Sequence, residues 1–123
     1  MNPSSRLQEI IKKCDLAAQE IDEALSINDL EEARQHIRKA VEGIEDMRYD
    51  LDKLMETGPT YSITAHLDSS LLFFSRALAY MPRINESEGE AAWQHIRAMK
   101  DQVAQAMYHL HDALNLAGTP MAT

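Results

Sequence analysis

Apolar residues recur at every third or fourth position along two long stretches of the chain. In the stretch from Leu30 to Leu54 the steps alternate between three and four without interruption, and a second series runs from Ala92 to Ala117. The members are Leu30, Ala33, Ile37, Ala40, Ile44, Met47, Leu51 and Leu54, then Ala92, Ile96, Met99, Val103, Ala106, Leu110, Ala113 and Ala117. Because this spacing places every member on one face of an α-helix, each stretch predicts a long amphipathic helix.

Two further helices are predicted, one before each of these stretches. The first runs from about Arg6 to Leu25, and the third from about Tyr61 to Met81, where Pro82 is expected to end it. Their apolar faces consist of Leu7, Ile10, Cys14, Ala17, Ile21 and Ala24 in the first helix, and of Ile63, Leu67, Leu71, Phe74, Leu78 and Met81 in the third.

Capping signatures set the remaining boundaries. Asn28 followed by Glu31 predicts the start of the second helix, and Ser87 followed by Glu90 predicts the start of the fourth. Short connections between long amphipathic helices favour neighbours that run in opposite directions. The sequence therefore predicts an all-α fold, an antiparallel up-down-up-down four-helix bundle, in a single domain spanning residues 1–123.

The two long stretches also resemble each other. Both contain the tetrapeptide Gln-His-Ile-Arg, at 35–38 and at 94–97, and an offset of 59 residues aligns their apolar series. The first and third helices align at an offset of 57. The difference between the offsets of 59 and 57 predicts a longer connection at 83–89 than in the first hairpin. We interpret the chain as two duplicated helical hairpins, at about 5–57 and 61–117.

Charge narrows the choice of partners. The chain has 12 Lys and Arg against 20 Asp and Glu, and a net charge of −8 argues against nucleic acid or a membrane surface as partner. Residues 1–57 carry 8 basic and 14 acidic side chains, whereas residues 58–123 carry only 4 and 6. The single cysteine, Cys14, excludes an internal disulfide, and no signal segment precedes the first helix, so a cytoplasmic protein is expected.

Four histidines beside the apolar faces raise the question of a metal site. His36, His66, His95 and His109 are weak candidate ligands, and they leave a metal- or cofactor-binding bundle open as an alternative function. Di-iron bundles need Glu-x-x-His on two helices, and this spacing does not occur in the sequence. Structural histidines are therefore favoured, and no cofactor is expected. There is also no Gly-rich phosphate loop or nucleophile elbow, so no catalytic residue is assigned and a non-enzymatic protein is expected.

The second hairpin carries more apolar residues than a core face requires. The run from Leu71 to Phe74 is apolar on every side of the third helix, and aromatic residues lie off the main faces. The predicted interface residues are Leu72, Phe73, Tyr80, Trp93 and Tyr108, and Tyr49, which occupies the position of Tyr108 in the first hairpin, is a possible surface anchor. Exposed apolar patches commonly mark interaction sites. We therefore expect an adaptor or chaperone-like protein that binds an unknown protein partner and forms a homodimer through the second hairpin.

One family offers an alternative. The stretch Leu16–Leu54 resembles the first half of the flagellin export chaperones, which share the length, the acidity and four helices. The resemblance implies an export-chaperone-like binder of client proteins. The characteristic N-terminal segment of those chaperones is absent, so the chain is assigned to no family.

Overall fold

A computed structural model describes residues 3–118, and these residues form four α-helices with no strand among them. The helices are α1 (Pro3–Ser26), α2 (Leu30–Glu56), α3 (Tyr61–Glu86) and α4 (Gly89–Gly118). The prediction of an all-helical chain with four helices is confirmed. None of the described helices combines the length and the apolar content that crossing a membrane requires.

The apolar series of α2 and α4 form the centre of a single hydrophobic core. In α2 every member from Ala33 to Leu54 is buried, and in α4 every member from Ala92 to Ala113 is buried. Only the outermost members, Leu30 and Ala117, are partly exposed. Burial of each large apolar side chain stabilises the fold by about 1.5–3 kcal/mol. The sum over these side chains is the main driving force for this arrangement.

Each helix packs mainly against two neighbours. The most extensive contacts join α3 to α4 and α1 to α2, and α1 also packs against α4 and α2 against α3. A smaller contact joins α2 to α4, whereas α1 and α3 lie on opposite sides of the core. This pattern is that of a helical bundle, in which the outer edge of each helix pair remains open to solvent.

The prediction that α3 ends before Pro82 is wrong. The helix continues through Pro82 to Glu86, and Ile84 in this last turn is fully buried. A proline inside a helix costs about 3 kcal/mol because its ring provides no N–H donor and clashes with the preceding turn. The burial of Ile84 and contacts from α2 to the end of α3 offset this cost, so tertiary packing overrides the local signal.

Two predicted caps also differ from the structure. Asp29, not Asn28, caps α2, and its carboxylate accepts a hydrogen bond from the N–H of Glu31. Ser87 does not open α4 but caps the end of α3, where its N–H donates to the carbonyl of Arg83. The connection between α3 and α4 is only 87–88, shorter than the 27–29 connection of the first hairpin rather than longer.

The two hairpins match in their buried positions. All seven buried residues of α2 have a buried counterpart in α4 at the predicted offset of 59. The predicted offset of 57 for α1 and α3 matches only two buried pairs, whereas an offset of 60 matches five. Those five pairs are Leu7 with Leu67, Ile10 with Ser70, Cys14 with Phe74, Ala17 with Ala77, and Ala24 with Ile84. The same offset aligns the last residues of the two helices, Ser26 and Glu86.

Candidate functional site

Histidine, aromatic and arginine side chains lie together at the outer edge of the contact between α3 and α4. We call this edge the α3–α4 groove. It is formed by His66, Phe73, Arg76, Tyr80 and Arg83 from α3 and by His95, Gln102, His109 and Asp112 from α4. Six of the seven aromatic residues of the chain lie in the second hairpin, and two of them, Phe73 and Tyr80, lie in this groove.

One part of the groove is a cluster of rings. The Nδ1 atoms of His66 and His109 lie 3.1 Å apart, at hydrogen-bond distance, and the ring centroids are 5.3 Å apart. Phe73 stacks on His109 with its ring only 14° from parallel, and the guanidinium of Arg76 lies 5.4 Å from the centre of the Phe73 ring. Asp112 has a carboxylate oxygen within 4.8 Å of one ring nitrogen of each histidine.

A second part of the groove pairs a tyrosine with a histidine. The rings of Tyr80 and His95 are 6.0 Å apart, and the guanidinium of Arg83 lies 5.5 Å from the centre of the Tyr80 ring. Arg76, Tyr80 and Arg83 also line a shallow cleft with Gln102. The Oε1 atom of Gln102 is a buried oxygen that has no hydrogen-bond partner within the described part of the chain.

The matching edge of the first hairpin holds charges instead of rings. Lys13 of α1 donates to Asp50 of α2 at 2.6 Å, and His36 of α2 lies 2.7 Å from a carboxylate oxygen of Glu20. Glu23 approaches the same histidine nitrogen at 3.4 Å. The hydrogen bond from Lys13 to Asp50 raises the pKa of the Lys13 ammonium, and the charge of Asp50 acts in the same direction.

These two edges correspond position by position when α1 is aligned with α3 at 60 and α2 with α4 at 59. The ion pair of Lys13 and Asp50 falls on the stacked pair of Phe73 and His109. The pair of Glu20 and His36 falls on the pair of Tyr80 and His95, and Glu23 falls on Arg83. At these aligned positions the first hairpin therefore has carboxylates and an ammonium, and the second has aromatic rings and a guanidinium.

The predicted interface residues lie in three different places. Leu72 and Tyr108 are 51% and 67% exposed on the outer faces of α3 and α4, while Phe73 and Tyr80 are half-buried in the groove. Trp93 lies apart from these four, in a cleft beside the end of α1 that Leu25 and Ile27 also line. The structure thus places two of the five residues in the groove and two on the outer faces of the same helices, with Trp93 apart from both groups.

Two exposed apolar residues lie on the first hairpin. Tyr49, the possible surface anchor, is 62% exposed, and a lysine ammonium, that of Lys53, lies 5.4 Å from the centre of its ring. Leu16 of α1 is 61% exposed and was not singled out from the sequence. Its position opposite the apolar face of α1 was the available signal, because a large apolar residue there cannot contribute to the core.

The four candidate histidines do not form one site. His66 and His109 face each other across α3 and α4, His36 pairs with two carboxylates between α1 and α2, and His95 contacts Tyr80. The carboxylates of Glu20 and Glu23 were missed from the sequence because they lie on a different helix from His36. Only the proximity of His109 to Asp112, one helical turn away, could be read directly from sequence spacing.

Two polar or reactive groups lie inside the core. Ser70 is fully buried, and its hydroxyl donates to the carbonyl of Ala106 at 3.0 Å, which satisfies the group and links α3 to α4. Cys14 is also fully buried, and burial raises the pKa of its thiol to about 12, with a further contribution from the charge of Asp15. A thiol held neutral in this way is a poor nucleophile, which agrees with the interpretation of Cys14 as a core residue.

Comparison of the chain with protein-family models, with curated proteins and with solved structures finds no match. Function is therefore inferred from the geometry of the α3–α4 groove and of the matching edge of the first hairpin.

Proposed function

We propose that the protein is a non-enzymatic interaction module, adaptor or chaperone-like, that forms a homodimer through its second hairpin. The observation that carries the proposal is the exposure of Leu72 and Tyr108 beside a groove in which ring pairs replace the ion pairs of the first hairpin. Large apolar side chains exposed next to aromatic and arginine side chains match the composition of protein interfaces.

Charge favours a second copy of the chain as the occupant. Two molecules of net charge −8 repel each other least when their charge-poor surfaces meet. The second hairpin carries a net charge of only −2, from 4 basic and 6 acidic residues, and three of its basic residues are arginines. A symmetric dimer through this hairpin would keep the strongly acidic first hairpins apart, and it needs to bury roughly 1,000 Å² or more.

We further propose an antiparallel up-down-up-down bundle that arose by duplication of one helical hairpin. The matched buried positions at offsets of 60 and 59 support this history, as do the aligned side-chain pairs at the outer edges of the two hairpins. On this proposal the first hairpin retained a solvated, charged outer edge, and the second acquired the interface. The single cysteine supports a cytoplasmic location. The acidic balance of the chain supports a partner that is neither nucleic acid nor a membrane.

Exposed residues provide a test that does not disturb the fold. The variants Leu72→Glu and Tyr108→Glu place a charge on the proposed interface, and Leu16→Glu and Tyr49→Glu place the same charge on equally exposed positions of the first hairpin. Tyr49 is the matched control for Tyr108, because the two occupy equivalent positions. Phe73 is a poorer choice, since its ring stacks on His109 and its replacement would alter packing inside the hairpin.

Sedimentation equilibrium at micromolar concentrations measures the outcome. We expect the wild-type chain and both control variants to sediment at twice the 13.9 kDa chain mass, and Leu72→Glu and Tyr108→Glu to sediment at the monomer mass with unchanged helical circular dichroism. A wild-type monomer at these concentrations contradicts the proposal. Equal dissociation of the Tyr49→Glu variant would show that the interface does not belong to the second hairpin.

A further inference from the structure

The ring cluster in the α3–α4 groove contains the elements of a metal site. His66 supplies one imidazole from α3, and His109 and Asp112 supply an imidazole and a carboxylate from one turn of α4. We propose that these three residues bind a divalent transition-metal ion of the zinc class, which links α3 to α4. The proposal is independent of the homodimer, because it concerns contacts within one chain.

The two imidazole nitrogens lie close to the spacing of two ligands on one metal ion. Two nitrogens 3.1 Å apart share at most one proton, and two protonated rings would repel each other at this distance. A tetrahedral ion with metal–nitrogen bonds of about 2.0–2.1 Å holds its ligands roughly 3.4 Å apart. For a metal to take the place of the shared proton, the two nitrogens must separate by a few tenths of an ångström and the rings must turn until both lone pairs point at the ion.

Packing against neighbouring side chains fixes the orientation of His109. Phe73 stacks on its ring, and Arg76 in turn lies over Phe73, so packing holds the imidazole toward His66 before any ion arrives. Metal-binding histidines depend on such surrounding contacts for their orientation. Asp112 is exposed, and rotation of its side chain brings its carboxylate into bonding distance from the present limit of 4.8 Å.

The chemistry of the ligands indicates the class of ion. Two imidazoles and one carboxylate suit Zn²⁺, Cu²⁺ or Ni²⁺ better than Ca²⁺ or Mg²⁺, which prefer oxygen ligands. Three protein ligands leave a fourth position for water, since the side chains are only half-buried or exposed. The imidazoles must be unprotonated to bind the metal, so affinity falls in acid.

The other cluster of potential ligands is better explained by ion pairing. His36 lies 2.7 Å from an oxygen of Glu20 and 3.4 Å from an oxygen of Glu23, so this cluster offers one imidazole where the α3–α4 groove offers two. One histidine between two carboxylates is an ion pair when the ring is protonated. The equivalent of His66 in the first hairpin is Arg6, and that of His109 is Asp50, so the first hairpin has no counterpart of the proposed site.

Metal titration of the full-length chain tests the proposal. After removal of metal with a chelator, Zn²⁺ is added and its binding is measured by calorimetry, while Co²⁺ reports the geometry through its visible absorption. We expect one equivalent of Zn²⁺ to bind to the wild-type chain at micromolar concentrations and to raise the unfolding temperature. The variants His66→Gln, His109→Gln and Asp112→Asn should each weaken binding at least about tenfold.

Two control variants make the result specific. His111→Gln removes an exposed histidine from the same turn of α4, and His36→Gln removes the histidine of the other cluster, and both should bind Zn²⁺ as the wild type does. Asp112→Asn changes only an exposed side chain, so its effect cannot come from unfolding. The proposal is overturned if the wild type binds no Zn²⁺ in this range, or if His66→Gln and Asp112→Asn bind it with wild-type affinity.

A further comparison separates this proposal from that of the homodimer. The Leu72→Glu variant leaves all three proposed ligands in place, so it should bind Zn²⁺ with wild-type affinity even if it is monomeric. Loss of binding in this variant would show that the metal site requires the dimer, and would contradict a site formed within one chain.

Discussion

Arg34 of α2 holds the end of α3 through the main chain of Ile84. Its Nε donates to the Ile84 carbonyl at 3.2 Å, and its Nη2 donates to the Ser87 carbonyl at 2.6 Å. The side chain is only 12% exposed and also approaches Glu31 at 3.5 Å. The last carbonyls of a helix have no partner within the helix, so a guanidinium that binds them stabilises the end of α3 beyond Pro82.

Replacement of Arg34 by alanine should therefore loosen the last turn of α3. We expect a loss of about 1.5–3 kcal/mol in the free energy of unfolding, because hydrogen bonds from a charged donor are lost in a partly buried position. Amide hydrogen exchange at residues 83–87 should become faster, since Pro82 already weakens the helix before this turn. Arg38, one turn along α2 and exposed, provides the control, and Arg38→Ala should change stability by less than about 0.5 kcal/mol. Unchanged exchange at 83–87 in Arg34→Ala would contradict this role of Arg34.

The sequence predicted the helices well because their apolar spacing repeats over many turns. Between Ala33 and Leu54, and between Ala92 and Ala113, no member of either series is exposed. Each position is set by the same helical period, so one ambiguous residue cannot shift the pattern. The end of α3 could not be predicted in this way, since Arg34 stabilises it from another helix, 50 residues earlier in the chain.

The predicted offset between the first and third helices depended on which residues of α3 were assigned to the core. The sequence offered Leu71 and Leu78 as core residues of α3, but the structure buries Ser70 and Ala77 and leaves both leucines partly exposed. Small residues are buried there because α3 and α4 approach closely, and the Ser70 hydroxyl finds an acceptor in the Ala106 carbonyl. Because the larger side chains were assigned to the core, the predicted apolar face of α3 was rotated away from the observed one. The offset that aligned this face with α1 was then 57 instead of 60.

The side-chain pairs of the candidate site were largely beyond prediction. His66 meets His109 across 43 residues of sequence, and His36 meets Glu20 across 16, through the relative rotation of packed helices. A helical period assigns residues to faces, but it does not specify which residues of two helices lie at the same height. Tertiary packing sets that relative height, and the contacts between the helices show it.

Gly43 offers a test of how closely α1 and α2 pack. A Cβ atom built at Gly43 would lie 3.7 Å from the Cβ of Ala17, which is ordinary van der Waals contact. We therefore expect Gly43→Ala to raise the free energy of unfolding by about 0.5–1 kcal/mol, because alanine restricts the unfolded chain and favours the helix. Urea denaturation measures the change.

Gly58→Ala is the comparison substitution, and we expect it to lower the free energy of unfolding. Gly58 has a φ of +70° in the turn before Pro59, and no atom lies within 4 Å of a Cβ built there. Alanine should therefore cost about 1–2 kcal/mol through backbone strain alone. If Gly43→Ala is instead destabilising, α1 and α2 pack more closely than the structure indicates.

The buried thiol of Cys14 should make stability depend on alkaline pH. Its pKa rises from 9.0 to about 12 in the folded chain, and the cause is burial. Below pH 9 the thiol is protonated in both states and contributes no pH dependence. Above pH 9 the unfolded chain loses this proton while the folded chain keeps it, so the free energy of unfolding falls as pH rises toward 12. At about 1.4 kcal/mol per pH unit, the loss attributable to Cys14 at about pH 10.5 should be about 2 kcal/mol.

Comparison with Cys14→Ala isolates this contribution, because all other titratable groups are present in both chains. We expect the urea-derived free energy of unfolding to fall more steeply with pH for the wild type than for the variant. The wild-type thiol should also react with a disulfide reagent only at the rate at which the chain opens, since thiolate and access are both required for attack. Equal pH slopes for the two chains, together with rapid labelling of Cys14 in the folded protein, would mean that α1 does not bury this residue.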